Sequence, residues 1–414
     1  MHERLISALG AAALLACALM LCPRRLRPYL RARTILGGLG VTFGAAGLML
    51  LTPLRWLFVW TNDAVERLLM FSQAGASFVF GRLADVQEFG FVFAFQVLPT
   101  IVFFSALMSV AYHVGLMPWV VQKLGRLLSR GLGVSGVESL STVADIFVGQ
   151  TEAPLVIKPY LASLTSSELM ACMTAGFATT AGGVLAAYVL MLKDLIPGIA
   201  GHLVACSVLA APASLVVAKL MLPEDQPTAA ADIDRVSLPS PASGLLDAIT
   251  MGTSDGLRLA ANVGAMLISF LALTAMIDFA LGWATSGLSE PLTLLRILSW
   301  VFWPLSWLLG VPHEDVAKLA GLLGQKTVMN EFVAYSTLTE QLKADPAWLS
   351  ERSRIIASYA LCGFANFGSI GIQIGGYAAL APERRADFAR LGPRAMLAGL
   401  LTTCLVACIA GIFA

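Results

Sequence analysis

The chain has 414 residues, a net charge of +1, 57% hydrophobic residues and only 13% charged ones, with a mean hydropathy of +0.79. Water-soluble domains carry about 25% charged residues, so this composition excludes a soluble surface, and the near-neutral balance leaves no footprint for nucleic acid. The seven cysteines show no CxxC pair and no Cys/His cluster, and the four histidines are scattered. Metal catalysis therefore has little support, and the cysteines read as small apolar filler, the Cys404/Cys408 face included.

A spanning helix needs about 20 apolar residues. Apolar runs near 5–22, 35–53, 91–116, 167–192, 196–221, 260–284, 354–381 and 395–413 predict eight spans. The first could imitate a secretory signal, but Pro23-Arg24-Arg25 follows and no small-residue cleavage site precedes it, so it reads as an uncleaved span. Gly37, Gly40, Gly44 and Gly47 in the second suggest close helix packing. The stretch after the second span mixes acids and bases, as an outer loop does. Basic residues follow the first span (Arg24, Arg25, Arg27, Arg31, Arg33), follow the third (Lys123, Arg126, Arg130) and separate the last two (Arg384, Arg385, Arg390, Arg394). Placing these clusters in the cytoplasm puts both termini outside. The Pro-rich stretch 223–244 reads as a mobile loop dividing the chain into halves, although it is rather acidic for a cytoplasmic loop.

Two apolar regions do not read as full spans: 137–165, which holds FVGQTEAPLVIKPYL, and 315–340, which holds GLLGQKTVMNEFVAYSTL. Each has polar groups in its middle and arms of about a dozen residues, reaching roughly 20 Å against a hydrocarbon core of roughly 30 Å. Two such arms joined by a polar turn make a re-entrant hairpin, tolerated only within protein or along a cavity. Each hairpin is followed by a span with the same break. Gly176-Phe177-Ala178-Thr179-Thr180-Ala181-Gly182-Gly183 runs on to Ala187-Tyr188, and Gly363-Phe364-Ala365-Asn366-Phe367-Gly368-Ser369 runs on to Gly376-Tyr377. An odd number of spans separates the hairpins, so they enter from opposite faces. Paired interrupted helices in inverted halves point to a secondary-transporter site near the midplane.

A charge at mid-membrane costs about 2.5–3.5 kcal/mol on insertion scales. Asp145, Glu152, Lys158, Lys326 and Glu331 must therefore face a polar cavity or one another. The structural alternative for Glu152 is an ion pair with Lys158 across the hairpin turn; Glu331 and Lys326 are poorly spaced for one. Glu152 and Glu331 are expected to converge from opposite leaflets around a solvated cavity. Gln150 and Asn366 each offer donors and an acceptor, suited to the edges of a heterocyclic amide. A carboxylate can accept from two neighbouring hydroxyls. Thr179 and Thr180 lie at a break whose carbonyls suit a small hard cation; the alternative for a lone Thr is bonding back to the preceding turn. Phe177 and Phe364 read as packing residues rather than ligand platforms, with only the Asn366 neighbourhood arguing otherwise for Phe364, and Val184 reads as plain helix filler. Gly252-Thr253-Ser254-Asp255-Gly256 matches the hydrolase pattern GxSxG, but that motif needs a strand-turn-helix setting and an oriented histidine. Here it sits in DAITMGTSDGLRLAANV, which reads as an interfacial helix, and His202 and His313 are poor partners.

Four stretches, GQTEAPLVIKPYL (149–161), GFATTAGGVLAAY (176–188), NEFVAY (330–335) and RSRIIASYALCGFANFGSIGIQIGG (352–376), give the chain a further identity: it resembles the concentrative nucleoside transporter family across roughly residues 30–413. The short N-terminus looks like that of bacterial members. The resemblance implies an all-α polytopic membrane protein: eight transmembrane helices plus two re-entrant hairpins in inverted repeats, working as an elevator-type homotrimer in the inner membrane. It implies nucleoside uptake driven by a cation gradient, with no cofactor and no enzymatic activity; a nucleobase carrier or a passive channel is the alternative. The implied division is scaffold helices and an interfacial helix in 1–136 and a first transport repeat in 137–222. A loop, a scaffold helix and an interfacial helix occupy 223–314, and a second transport repeat 315–414. By resemblance, Gln150, Thr151 and Glu152 face the nucleobase with Val184 nearby. Glu331, Asn366 and Ser369 hold the ribose hydroxyls, and Phe364 borders the sugar. The matching sodium positions are Asp145, Val148 through its carbonyl, Thr179 and Thr180. Two depart from the family pattern: Asp145 stands where asparagine is common, and Thr180 where isoleucine is. The added carboxylate could tighten sodium or carry a proton; sodium is taken as the coupling ion.

Overall fold

Helix α1 (His2–Met20) and helix α2 (Ala32–Leu51) take the first two apolar runs. The structure, a computed structural model, describes residues 2–51, 55–85, 88, 90, 92–226, 242–287 and 291–414. The first departure from expectation follows at once. The stretch read as an outer loop contains a 26-residue helix, α3 (Arg55–Phe80). Its Asp63, Glu66 and Arg67 interrupt any apolar run, but a helix needs only one apolar face. It leans on α4 (Phe93–His113), where Ser72 Oγ donates to Thr100 Oγ1 at 3.2 Å. An amphipathic helix, α5 (Leu116–Leu132), follows.

The first hairpin is short-armed as expected. A capping box, Ser135 with Glu138, starts α6 (Gly136–Asp145). After a turn comes the single-turn α7 (Ala153–Val156) and a 3₁₀ segment, Lys158–Ser163. A second capping box, Thr165 with Glu168, starts α8 (Ser166–Ala178), which breaks before α9 (Gly182–Leu192). Helix α10 (Ile199–Met221) closes the half. At its end Lys219 Nζ lies 2.7 Å from Glu138 and 3.7 Å from Glu224, and donates to Ser167 Oγ at 3.0 Å. This buried cluster ties α6, α8 and α10 at the hairpin's base. Most of the acidic loop, 227–241, lies outside the described residues.

The second half opens on a correction. The run read as an interfacial helix is continuous with the next span, forming the 40-residue α11 (Leu245–Ala284). Its Gly252 and Gly256 press on α4: a Cβ at either would fall within 2.8 Å of Ser105, Ala106, Ser109 or Val102. The two glycines of the hydrolase-like pattern are a close-packing pair. Helix α12 (Leu294–Leu308) is bent by 119° from α13 (His313–Val328), the first arm of the second hairpin. The other arm is α14 (Glu331–Ala344), capped by Asn330. Then come the broken pair α15 (Glu351–Leu361) and α16 (Phe367–Leu380), and finally α17 (Arg385–Phe413).

Seven helical stretches among the described residues are long and apolar enough to span a bilayer, rising to eight if the bent α12–α13 pair is one span. The expected span 354–381 appears as the two short helices α15 and α16, because Gly363, at φ +95°, cannot continue a helix. The three basic clusters gather at one end. Arg33 Nη2 donates to the Arg130 carbonyl at 2.5 Å, and Arg394 Nη2 to those of Leu21 (3.3 Å) and Met221 (3.2 Å). At the opposite end of α17, Arg352 donates to Ala414 and Gly411 carbonyls, and Arg4 also reaches Ala414. The Lys219 cluster at the base of the first hairpin shares the Arg394 end. At the base of the second hairpin, Asp315 accepts from Ser350 and Ser353 beside Arg352. The hairpins therefore enter from opposite faces.

Candidate functional site

The tip of the first hairpin is stitched to the first break. Gly182 N donates to the Phe147 carbonyl at 3.0 Å. Gly149 has φ +96°, and a Cβ there would sit 2.8 Å from that of Ala181. At the break, Thr179 Oγ1 donates to the Ala175 carbonyl at 2.9 Å, the back-bonding alternative. Thr180 does something else: its Oγ1 accepts from Gly363 N at 2.9 Å and lies 3.2 Å from Cys362 Sγ. One hydroxyl thus joins the two breaks. Gly363 is pressed on the first break so closely that a Cβ would fall 2.7 Å from the Ala178 carbonyl oxygen.

Asp145 ends α6 with 1% of its surface exposed, and neither oxygen of its carboxyl has a hydrogen-bond partner among the described residues. The Thr142 hydroxyl, one turn back, is likewise buried and without a partner among the described residues, and the Ser141 hydroxyl is buried beside it. An unpaired buried carboxylate is costly, and an anionic, oxygen-rich set suits a hard cation. Val148 is half-buried on the same tip. No hydrogen bond joins Asp145 to Thr179 or Thr180 among the described residues.

At the second hairpin, Glu331 opens α14 and is held on both oxygens. Tyr188 OH donates to Oε1 at 3.1 Å, and Asn366 Nδ2 to Oε2 at 3.0 Å. Asn366 also caps α16, its Oδ1 accepting from Ser369 N at 2.8 Å. Ser369 Oγ accepts from Gln150 Nε2 at 3.2 Å. Gln150 Oε1 accepts from Gln373 Nε2 at 3.2 Å, which also donates to the Met173 carbonyl at 3.1 Å. Gln150, Ser369, Asn366 and Glu331 therefore form one buried chain of contacts linking the first hairpin, the second break and the second hairpin. Phe364 and Val184 are buried, while Thr151 is exposed and faces Gly376 of α16.

Glu152 stands apart. It is accessible on the wall of a cavity of about 480 Å³, with Val148 and Lys158 of the same hairpin, Ser105 and Tyr112 of α4, and Asp255 of α11. The residues of the Glu331 network do not line this cavity. Glu152 and Glu331 thus share no hydrogen bond and no common cavity wall among the described residues, although Gln150, two residues from Glu152, belongs to the Glu331 network. The tip turn directs Gln150 inward to the network and Glu152, two residues on, toward α4 and α11. Glu152 and Lys158 form no ion pair within 4.0 Å among the described residues. The hydrolase pattern dissolves as well. Ser254 is exposed in mid-helix; His202 faces Tyr359 OH at 3.3 Å, and His313 packs on Trp303. Sequence reasoning missed Tyr188 and Gln373 as members of the network. The available signal was a phenol and an amide inside otherwise apolar helices.

Two inverted halves, each a re-entrant hairpin set on a broken helix, with the polar groups meeting inside the body, define a secondary transporter. Family profiles described as Na⁺-dependent nucleoside transporter C-terminus, nucleoside recognition gate, and Na⁺-dependent nucleoside transporter N-terminus match residues 202–411, 94–195 and 9–83. An uncharacterized transporter of Haemophilus influenzae is 43% identical over 417 residues, covering 99% of this chain and 97% of that protein. The sodium/nucleoside cotransporter 1 of Rattus norvegicus is 42% identical over 394 residues, covering 92% of this chain and 59% of the rat protein. This chain therefore spans less than two thirds of that relative. Among solved structures, CNTnw in an inward-facing substrate-bound state is 41% identical with a TM-score of 0.92, covering 99% of this chain and 98% of that one. A doubly substituted CNTnw in an outward-facing state is 40% identical, also with a TM-score of 0.92, covering 100% and 98%. The chain belongs to the Na⁺-dependent nucleoside transporter family, the concentrative nucleoside transporters.

Proposed function

We propose that the protein is a cation-coupled symporter that imports nucleosides across the cytoplasmic membrane by an elevator motion, with sodium rather than a proton as the coupling ion, and that it works as a homotrimer. The observation that carries this reading is the Gln150–Ser369–Asn366–Glu331 chain. It sets amide donors and acceptors at one end and a carboxylate able to accept from two hydroxyls at the other. Ribose hydroxyls would bind at Glu331, Asn366 and Ser369, bordered by Phe364. The base would bind at Gln150, Thr151 and Glu152, beside Val184.

The moving body would comprise residues 137–222 and 315–414, and the scaffold 1–136 and 223–314. Burial supports that division. The span windows Ser166–Leu192, Ile199–Met221 and Pro382–Phe413 are 83%, 89% and 83% buried within the protomer, against 33%, 22%, 28% and 11% for those of α1, α2, α4 and α11. The latter leave broad apolar faces for lipid or for other copies. The cation would bind at Asp145, the Val148 carbonyl and the Thr179–Thr180 break. Thr180 would offer its carbonyl, its hydroxyl already accepting from Gly363 N. The basic end would face the cytoplasm and both termini the outside.

The test is Glu331→Ala in a strain lacking its own nucleoside uptake. Uridine uptake is expected to be abolished; full activity would refute the ribose assignment.

A further inference from the structure

The two repeats are alike in backbone and differ in the ionisable group buried beside each break. In the first, Asp145 is a buried carboxyl with no partner on either oxygen among the described residues. In the second, Lys326, two residues before the end of α13, is fully buried and has no carboxylate within 4.0 Å among the described residues. Among the described residues its Nζ donates to neutral oxygens alone: the carbonyls of Ala360 at 2.8 Å and Cys362 at 3.0 Å, and Thr403 Oγ1 at 3.0 Å. Those carbonyls belong to the end of α15, where the break strips them of helical partners and where the helix dipole is negative. Two break carbonyls and one hydroxyl of α17, at 2.8–3.0 Å around one Nζ, make an oxygen set of the kind that holds a monovalent cation.

We propose that Lys326 is a tethered cation that permanently fills the second break, so that only the first break, at Asp145, loads an ion from solution and one cation accompanies each nucleoside. This rests on the cation-coupled reading above. Charge supports it. Within the body that would cross the membrane, Lys326 offsets Glu331, five residues away. Glu152 lies exposed on the cavity wall. Asp145, with neither oxygen partnered among the described residues, is the acid at the first break that one monovalent ion would neutralise.

The experiment uses the full chain in proteoliposomes, with labelled nucleoside and labelled sodium flux measured together. The wild type is expected to move one sodium per nucleoside; two would overturn the proposal. Lys326→Met, checked for folding by its thermal unfolding, is expected to lose uptake by more than about tenfold, and Lys326→Arg to retain it. Lys326→Ala is expected to regain uptake with added propylammonium, or with raised sodium at a sodium cooperativity above that of the wild type. A merely structural lysine would be rescued by propylammonium alone and would show no rise in sodium cooperativity. Wild-type uptake rate and sodium dependence in Lys326→Met would overturn the proposal; if Lys326→Met does not fold, the wild-type stoichiometry decides. No uptake by the wild type under any gradient overturns the transport reading and this inference with it, whereas an indifferent Lys326→Met overturns this inference alone.

Discussion

Asn366 does two jobs with one side chain, and substitutions can separate them. Its Oδ1 caps α16, and its Nδ2 holds Glu331 at 3.0 Å. Losing the cap costs about 1 kcal/mol. Losing a hydrogen bond to a charged group costs about 1.5–3 kcal/mol, although interhelical bonds in membranes average nearer ~0.6. Asn366→Ala is therefore expected to lower stability by about 2–4 kcal/mol. Asn366→Ser keeps an oxygen for the cap and is expected to be less affected by about 1 kcal/mol. Both lose the donor to Glu331, so both are expected to lose nucleoside affinity to the same degree. Denaturation in detergent reads the first quantity and titration calorimetry the second. Equal stability of the Ala and Ser variants would refute the cap assignment, and unchanged affinity in both would refute the role of the Glu331 contact.

Three further substitutions test other parts of the account. Asp145→Asn removes the unpartnered buried charge and is expected to raise the half-saturating sodium concentration by about tenfold; unchanged dependence on both sodium and pH would remove Asp145 from coupling. Gly363→Ala must hold a left-handed φ, at about 1–2 kcal/mol, and place a Cβ 2.7 Å from the Ala178 oxygen, so a clear drop in thermal stability is expected, and a wild-type melting curve would contradict the interlocked breaks. Gly256→Leu is expected to part α11 from α4 and abolish uptake while Ser254→Ala leaves uptake unchanged; loss of uptake in Ser254→Ala would revive a chemical role for that hydroxyl.

Much of the architecture was written in the chain's polarity pattern. The hairpins were legible because their arms were too short to span and carried Gln150, Glu152, Lys326 and Glu331 at membrane depth. Helix α3 was not, because Asp63, Glu66 and Arg67 deny it an apolar run, and its place comes from packing on α4. The start of α11 was misread as interfacial because its polar residues suggested a membrane surface. The same residues include Gly252 and Gly256, whose spacing of four fits helix packing better than hydrolysis.

In the candidate site, Gln150, Asn366, Ser369 and Glu331 stood out as polar groups in apolar surroundings, and the structure brings them together. Tyr188 and Gln373 gain meaning only from partners 143 and 223 positions away in the chain. Lys326 was visible as a costly charge. Its partners were not, because they are carbonyls that exist as acceptors only once α15 has stopped.

Labelled uridine uptake by the purified protein in proteoliposomes, under an inward sodium gradient and separately under a proton gradient, tests the central claim most directly. Accumulation above the external concentration with sodium, collapsing when the gradient is dissipated, is the expected result. Simple equilibration that ignores both gradients would contradict it.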